Sequence, residues 1–186
     1  MEQLGHTGSM AADYDEACVA ERRWYVLWTK SNCEYVVSEQ LKTKGFEVFL
    51  PTVEKWSRRR HVRCLQRAPM FPGYLFVHEI MDKTNYLAIR KVAGLVRILG
   101  QRWDKLAAVP DRDIDAIQKV QKADFPTMPY PYLRHGEPVR ITTGPLANVE
   151  GILLKSDPRK GLLVLSIDLL RQSVAVQVDC TQVTAA

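Results

Sequence analysis

No stretch of the 186 residues approaches the ~18 consecutive apolar residues of a membrane span. The N-terminus also lacks the charged-then-apolar pattern of a secretory signal. Cysteine is scarce, and Cys18, Cys33, Cys64 and Cys180 stand apart, with no C-x-x-C pair or neighbouring histidine ladder. That excludes a finger-type zinc site and counts against a disulfide framework. Gly-rich phosphate loops, G-x-S-x-G, H-E-x-x-H and paired carboxylates on one apolar face are missing as well. The four histidines are scattered, and His78, at a strand end, reads as structural. These absences describe a cytoplasmic protein that is not an enzyme, with no catalytic residue, metal or cofactor.

What is there is an ordinary globular composition, 46% hydrophobic and 25% charged, on a length suited to one or two domains. The net charge of +5 is unevenly spread. Residues 1–21 carry five acids and no base, residues 22–67 eleven bases and four acids, residues 68–135 ten bases and seven acids, and residues 136–186 five of each. A basic first half beside a neutral second half points to an anionic partner for the former. Residues 1–21 have no periodicity and read as a disordered acidic tail.

The aromatic and β-branched run W-Y-V-L-W-T at 24–29 predicts a buried strand. Ser31, three residues before Glu34, has capping-box spacing for a helix with Val36, Val37 and Leu41 on one face, ending at Gly45. A second strand follows at 46–51, then a polar, arginine-rich loop containing Arg58, Arg59, Arg60, Arg63 and Arg67. Five guanidiniums in ten residues, with Trp56 and His61 among them, suit phosphates and stacked bases; the plainer reading is a solvated loop. Further strands are expected at 74–78 and 95–99, and helices at 83–92 and 111–122, the last carrying Ile114, Ile117 and Val120 at i, i+3, i+6. The order predicts an α+β split-βαβ sandwich over 22–123, with helices on one face of an antiparallel sheet. Its other face would be open, and an apolar patch there would dock a protein.

Three prolines within 124–132 predict a linker, placed at 124–135. Beyond it, strands at 138–142, 149–155, 162–167 and 173–178, with turns at Gly144-Pro145 and 157–161, predict a small five-stranded β-barrel over 136–186. Its β-branched residues and prolines oppose a helical alternative, so a stable barrel tethered loosely by the linker is expected.

M-F-P-G-Y-L-F-V at 70–77, W-Y-V-L-W-T-K at the first strand, L-P after the second, and G-E-P-V-R-I-T-T-G-P-L-A-N-V-E-G at 136–151 occur in one order. In these motifs the chain resembles NusG-type transcription elongation and antitermination factors, an N-terminal NusG domain followed by an SH3-like KOW domain. The resemblance covers residues 22–183, and an ungapped fit from Trp24 through Gly94 favours the specialised RfaH-like branch over the housekeeping one. It implies docking on the β′ clamp helices of RNA polymerase, which suppresses pausing or termination. The matching RNA polymerase-binding positions are Trp28, Leu50, Phe71, Pro72, Tyr74 and Phe76. Lys30, with Arg58, Arg59, Arg60 and Arg63, would face upstream or non-template DNA.

In the KOW domain S-I-D-L-L-R stands where the housekeeping pattern has S-I-F-G-R. The missing Phe-Gly counts against a Rho contact, while Ile167, Leu169 and Leu170 would offer an apolar edge to a small-subunit ribosomal protein. A monomer without membrane association is expected. The competing reading is a KOW protein of translation, bound to the ribosome or its RNA; the neutral charge of 136–186 argues against direct RNA binding.

Overall fold

The computed structural model describes residues 21–59, 62–123, 127–130, 136–155, 160–167, 169–179 and 182–186; of 56–59, 62–63, 128–130, 137, 155 and 160 the backbone alone is described. The expected acidic tail, Arg60, most of the linker and most of the 157–161 turn lie outside the described residues.

The first part runs β1 (Arg23–Thr29), α1 (Glu34–Thr43), β2 (Glu47–Phe49), β3 (Thr52–Arg59), β4 (Val62–Pro69), β5 (Tyr74–Glu79), α2 (Lys83–Arg90) and β6 (Leu95–Ile98). The short strands β7 (Gly100–Arg102), β8 (Lys105–Leu106) and β9 (Ala108–Val109) lead to α3 (Asp111–Lys122). One antiparallel sheet has the order β2-β5-β1-β6, and β9 also pairs with β1. Alternation along β1 and β5 sends Leu27, Leu75 and Val77 to one face, where Val37 and Leu41 of α1 and Ile89 of α2 cover them. Trp24, Val26 and Phe76 take the other face, in a cluster with Met70, Phe71 and Ile114, Ile117 and Val120 of α3.

The third helix therefore corrects the expectation of helices on one face. Pro110 precedes its first turn with φ −59°, Asp111 and Asp113 lie at its positive end, and Lys119 and Lys122 at its negative end. Its apolar stripe closes most of the face expected to be open. One further detail differs: Val36, expected to pack inward from its helix, is exposed.

The arginine-rich stretch is not a loop. β3 and β4 form a two-stranded antiparallel ribbon, in register from Thr52↔Pro69 to Arg59↔Val62. At eight residues a strand it extends roughly 26 Å. Tyr35 Oη donates to Arg67 O at 3.1 Å, which ties the ribbon to α1.

The second part comprises β10 (Thr127–Tyr130), β11 (Glu137–Ile141), β12 (Glu150–Lys155), β13 (Lys160–Ile167), β14 (Gln172–Asp179) and β15 (Val183–Ala185), ordered β10-β14-β13-β12-β11-β15. Four of these strands, β11 to β14, fall at the expected positions, and β15 supplies the fifth strand, for which no position was expected. The sixth, β10, comes from the expected linker and pairs with β14 from Thr127↔Val176 to Tyr130↔Ser173. Pro129 is tolerated because β10 is an edge strand, where a missing N–H costs no ladder bond. At Gly151 a Cβ would stand 2.8 Å from Val164 O, so this glycine lets β12 and β13 approach.

The two parts also touch. α3 packs on both β1 and β13, and Lys119 Nζ donates to Ala147 O at 3.1 Å. One apolar cluster runs from the first sheet through α3 into the interior of the second, a closer association than a loose tether. No helix among the described residues is long and apolar enough to cross a membrane. Ile117, fully buried in that cluster, sets a test. Ile117→Ala is expected to lower unfolding free energy by about 2–5 kcal/mol in urea titration. Lys119→Ala, which removes a single bond, should cost about 1 kcal/mol.

Candidate functional site

The segment Phe71-Pro72-Gly73-Tyr74 makes a tight turn, with Tyr74 N donating to Phe71 O at 3.1 Å. Gly73 has φ +84°, a conformation that L side chains rarely adopt. Both of its backbone polar groups are held. Gly73 O accepts from Thr29 N at 2.8 Å and Thr29 Oγ1 at 3.3 Å, and Gly73 N donates to Glu34 Oε1 at 2.7 Å. These bonds fix the turn against the end of β1.

Trp28 lies opposite Tyr74 on one side and Arg97 on the other. A Cβ at Gly73 would be 3.8 Å from Trp28 Cδ1 and Nε1, so the indole lies over the turn. The Arg97 guanidinium sits 5.5 Å from the indole centroid, within cation–π range. Trp28 is 39% exposed, Pro72 is exposed and Tyr74 is half-buried. Together they make an aromatic surface at one end of the sheet, beside the exposed Lys30, whose N donates to Gly94 O at 2.8 Å.

Beneath that surface the other expected docking residues divide. Phe71 and Phe76 are buried, their rings edge to face at 6.2 Å, and Phe76 stacks on Phe49 at 6.1 Å. Both are therefore core residues supporting the turn. Leu50 is half-buried and packs with the cluster on the opposite face of the sheet, so the fold does not bring it to the others. His78 stacks on Trp24 at 4.7 Å and contacts Glu47 through Nδ1 at 2.9 Å, in keeping with a structural role.

The ribbon places Arg58 directly opposite Arg63, and Arg59 opposite Val62, at the end away from the sheet. Arg60 lies outside the described residues. In the second part Ile167 and Leu170 are buried, and Leu169 is half-buried. A cleft of about 250 Å³ opens elsewhere on that part, between Ile141, Pro145, Leu146, Val178 and Gln182.

Glu34, Thr29 and Arg97 were not singled out from sequence. Glu34 was read as half of a capping box with Ser31. Instead Cys33 is the N-cap with no side-chain bond, and the carboxylate reaches 39 positions along the chain to Gly73. Only the register across β1 and β6 reveals Arg97. Elsewhere Arg102 donates to Asp104 at 2.7 Å, and that hydrogen bond holds the Asp104 carboxyl below its ordinary range, away from the aromatic surface. No cluster of three or more potential metal ligands occurs among the described residues.

The family model described as "Transcription termination factor nusG" matches residues 22–118, more than half of the chain. Transcription termination/antitermination protein NusG of Escherichia coli K12 is 28% identical over 176 residues, covering 89% of this chain and 97% of its own length. Its namesake from Vibrio cholerae O1 is 30% identical over 173 residues, covering 88% and 95%. A solved structure of Thermotoga maritima NusG, concerned with its domain interaction, aligns with a TM-score of 0.56 at 20% identity over 89% of this chain and 97% of its own, and shares the fold. The class is a transcription termination/antitermination factor, of the kind that acts with RNA polymerase. The chain belongs to the NusG family.

The burial difference within the F-P-G-Y strand gives the second test. Phe76→Ala is expected to cost about 3–5 kcal/mol by chemical denaturation. The loss for Tyr74→Ala should be less than half as large, because its ring is half-buried. Tyr74 and Trp28 are thus the positions at which binding can be probed without unfolding.

Proposed function

We propose that this chain is an elongation and antitermination factor that docks on the β′ clamp helices of RNA polymerase and suppresses pausing or termination. The observation that carries the reading is the exposed Trp28 indole, seated on the Gly73 turn and flanked by Pro72 and Tyr74. Trp and Tyr are the residues that most often dominate binding energy at protein interfaces. In this reading Trp28, Pro72 and Tyr74 touch the polymerase, while Phe71 and Phe76 hold the surface from below. Leu50, on the opposite face of the sheet, is not part of that surface.

Nucleic acid lies along Lys30 and the ribbon end. Opposed like charges destabilise a strand pair, so the Arg58–Arg63 rung is best satisfied by an anion between or beside it. Upstream or non-template DNA is that anion; Arg59, opposite Val62, lies at the same end, and Arg60 follows it in sequence. The functional division is 22–123 for polymerase and DNA and 136–186 for recruiting a further partner, a small-subunit ribosomal protein, with the factor acting as a monomer in the cytoplasm. Because Ile167 and Leu170 are buried, Leu169 is the member of that trio available to such a partner. The S-I-D-L-L-R segment supports a specialised paralogue.

The docking test is Trp28→Ala with Tyr74→Ala in the full chain. Anchors of this kind cost ~2 kcal/mol or more each, so polymerase capture should fall by more than tenfold with the thermal midpoint nearly unchanged. Retained capture would move the docking site elsewhere. For the ribbon, replacing Arg58, Arg59, Arg60 and Arg63 by Ser should flatten the salt dependence of DNA binding. Each lost phosphate contact reduces the log–log slope by about 0.9 for duplex DNA. An unchanged slope would return the run to a solvated hairpin end.

A further inference from the structure

Glu34 is 4% exposed, and among the described residues no Lys or Arg lies within ion-pairing distance of it. A buried carboxylate is costly unless hydrogen bonds compensate, so its position calls for a reason beyond packing. Its place at the first residue of α1 supplies one favourable term, the positive end of the helix dipole. The directional term is the 2.7 Å bond from Gly73 N. Thr29, 2% exposed, holds the same residue by its carbonyl oxygen. The left-handed Gly73 residue is thus held at its N–H by the Glu34 carboxylate at the start of α1 and at its carbonyl by the backbone and side chain of Thr29 at the end of β1.

We infer that Glu34 is a positioning residue for the docking surface: its carboxylate holds the Phe71–Tyr74 turn in the orientation that presents Trp28, Pro72 and Tyr74 together. The inference rests on the docking reading above. Without the Glu34 bond, Gly73 N turns to water and Pro72 and Tyr74 lose their fixed relation to the indole. The aromatic surface must then be ordered upon binding, and that ordering subtracts from affinity. A merely structural carboxylate behaves differently: removing the acceptor of the Gly73 N–H would then lower the thermal midpoint and leave the affinity of the folded protein unchanged.

The experiment compares Glu34→Gln, Glu34→Met and Glu34→Asp in the full chain. The readouts are polymerase affinity, thermal midpoint and hydrogen exchange of the Gly73 amide by NMR. Gln keeps an acceptor at the same reach and should bind within about twofold of the parent. Met keeps the bulk without the acceptor, and should lose Gly73 protection and bind about tenfold more weakly at a similar midpoint. Asp keeps the charge but falls one methylene short of Gly73 N, and should resemble Met; it carries the test if the Met variant does not fold. Parent-like affinity or Gly73 protection in Met or Asp overturns the inference, as does an equal loss in Gln. Trp28→Ala separates the two readings. If it leaves polymerase affinity unchanged, the docking reading fails, whereas weakened Trp28→Ala beside unaffected Met and Asp variants sinks the Glu34 inference alone.

Discussion

The pairing of β1 with β5 runs without a break from Arg23↔Glu79 to Trp28↔Tyr74, and both faces of the pair are packed. A slip of one residue would exchange Leu75 and Val77 with Phe76 and leave each cluster facing the wrong helices, so this register is strongly specified. Everything at the candidate site follows from it. The pairing delivers the Phe71–Tyr74 turn to the end of β1, sets Tyr74 beside Trp28, and places Gly73 where Thr29 can reach its carbonyl and Glu34 its N–H. The aromatic surface is the end of a ladder whose interior is core, which is why buried and exposed aromatics alternate within a few residues.

Two surfaces of opposite character therefore lie on adjoining elements. The aromatic end rests on the buried rings of Phe71 and Phe76. The ribbon of β3 and β4 leaves the same sheet at Pro51 and returns at Met70, whose N donates to Pro51 O at 2.8 Å, and carries its arginines to the far end. In the proposed reading, a protein anchor at the base and an electrostatic reach at the tip would let one molecule hold a polymerase and a charged strand together. Phosphate contacts position without reading sequence, so such a reach would carry no sequence preference.

Much of this organisation was legible in the residues. Ile114, Ile117 and Val120 at i, i+3, i+6 marked α3 with the bounds it has, because one apolar stripe on a charged helix has no other reading. The strand W-Y-V-L-W-T, F-P-G-Y and the glycine of the second part were equally plain. The arginine ribbon was not, since its stability comes from the backbone ladder and from Val53 at its base, and neither leaves an apolar alternation. β10 hid behind its proline, which an edge strand accepts. The side of the sheet that α3 covers and the bond from Gly73 to Glu34 are long-range facts. Spacing near Glu34 pointed to a local cap, and the nearer Ser31 lost to a donor 39 positions away.

The central claim is that the Trp28 surface meets the polymerase β′ subunit in an elongation complex. Site-directed photo-crosslinking tests it most directly, with p-benzoylphenylalanine in place of Trp28 and, as control, in place of the exposed Leu87 on α2. The account predicts a β′ adduct within the clamp helices from position 28 and none from position 87. Adducts from position 28 confined to other proteins, or equal β′ labelling from both positions, would contradict it.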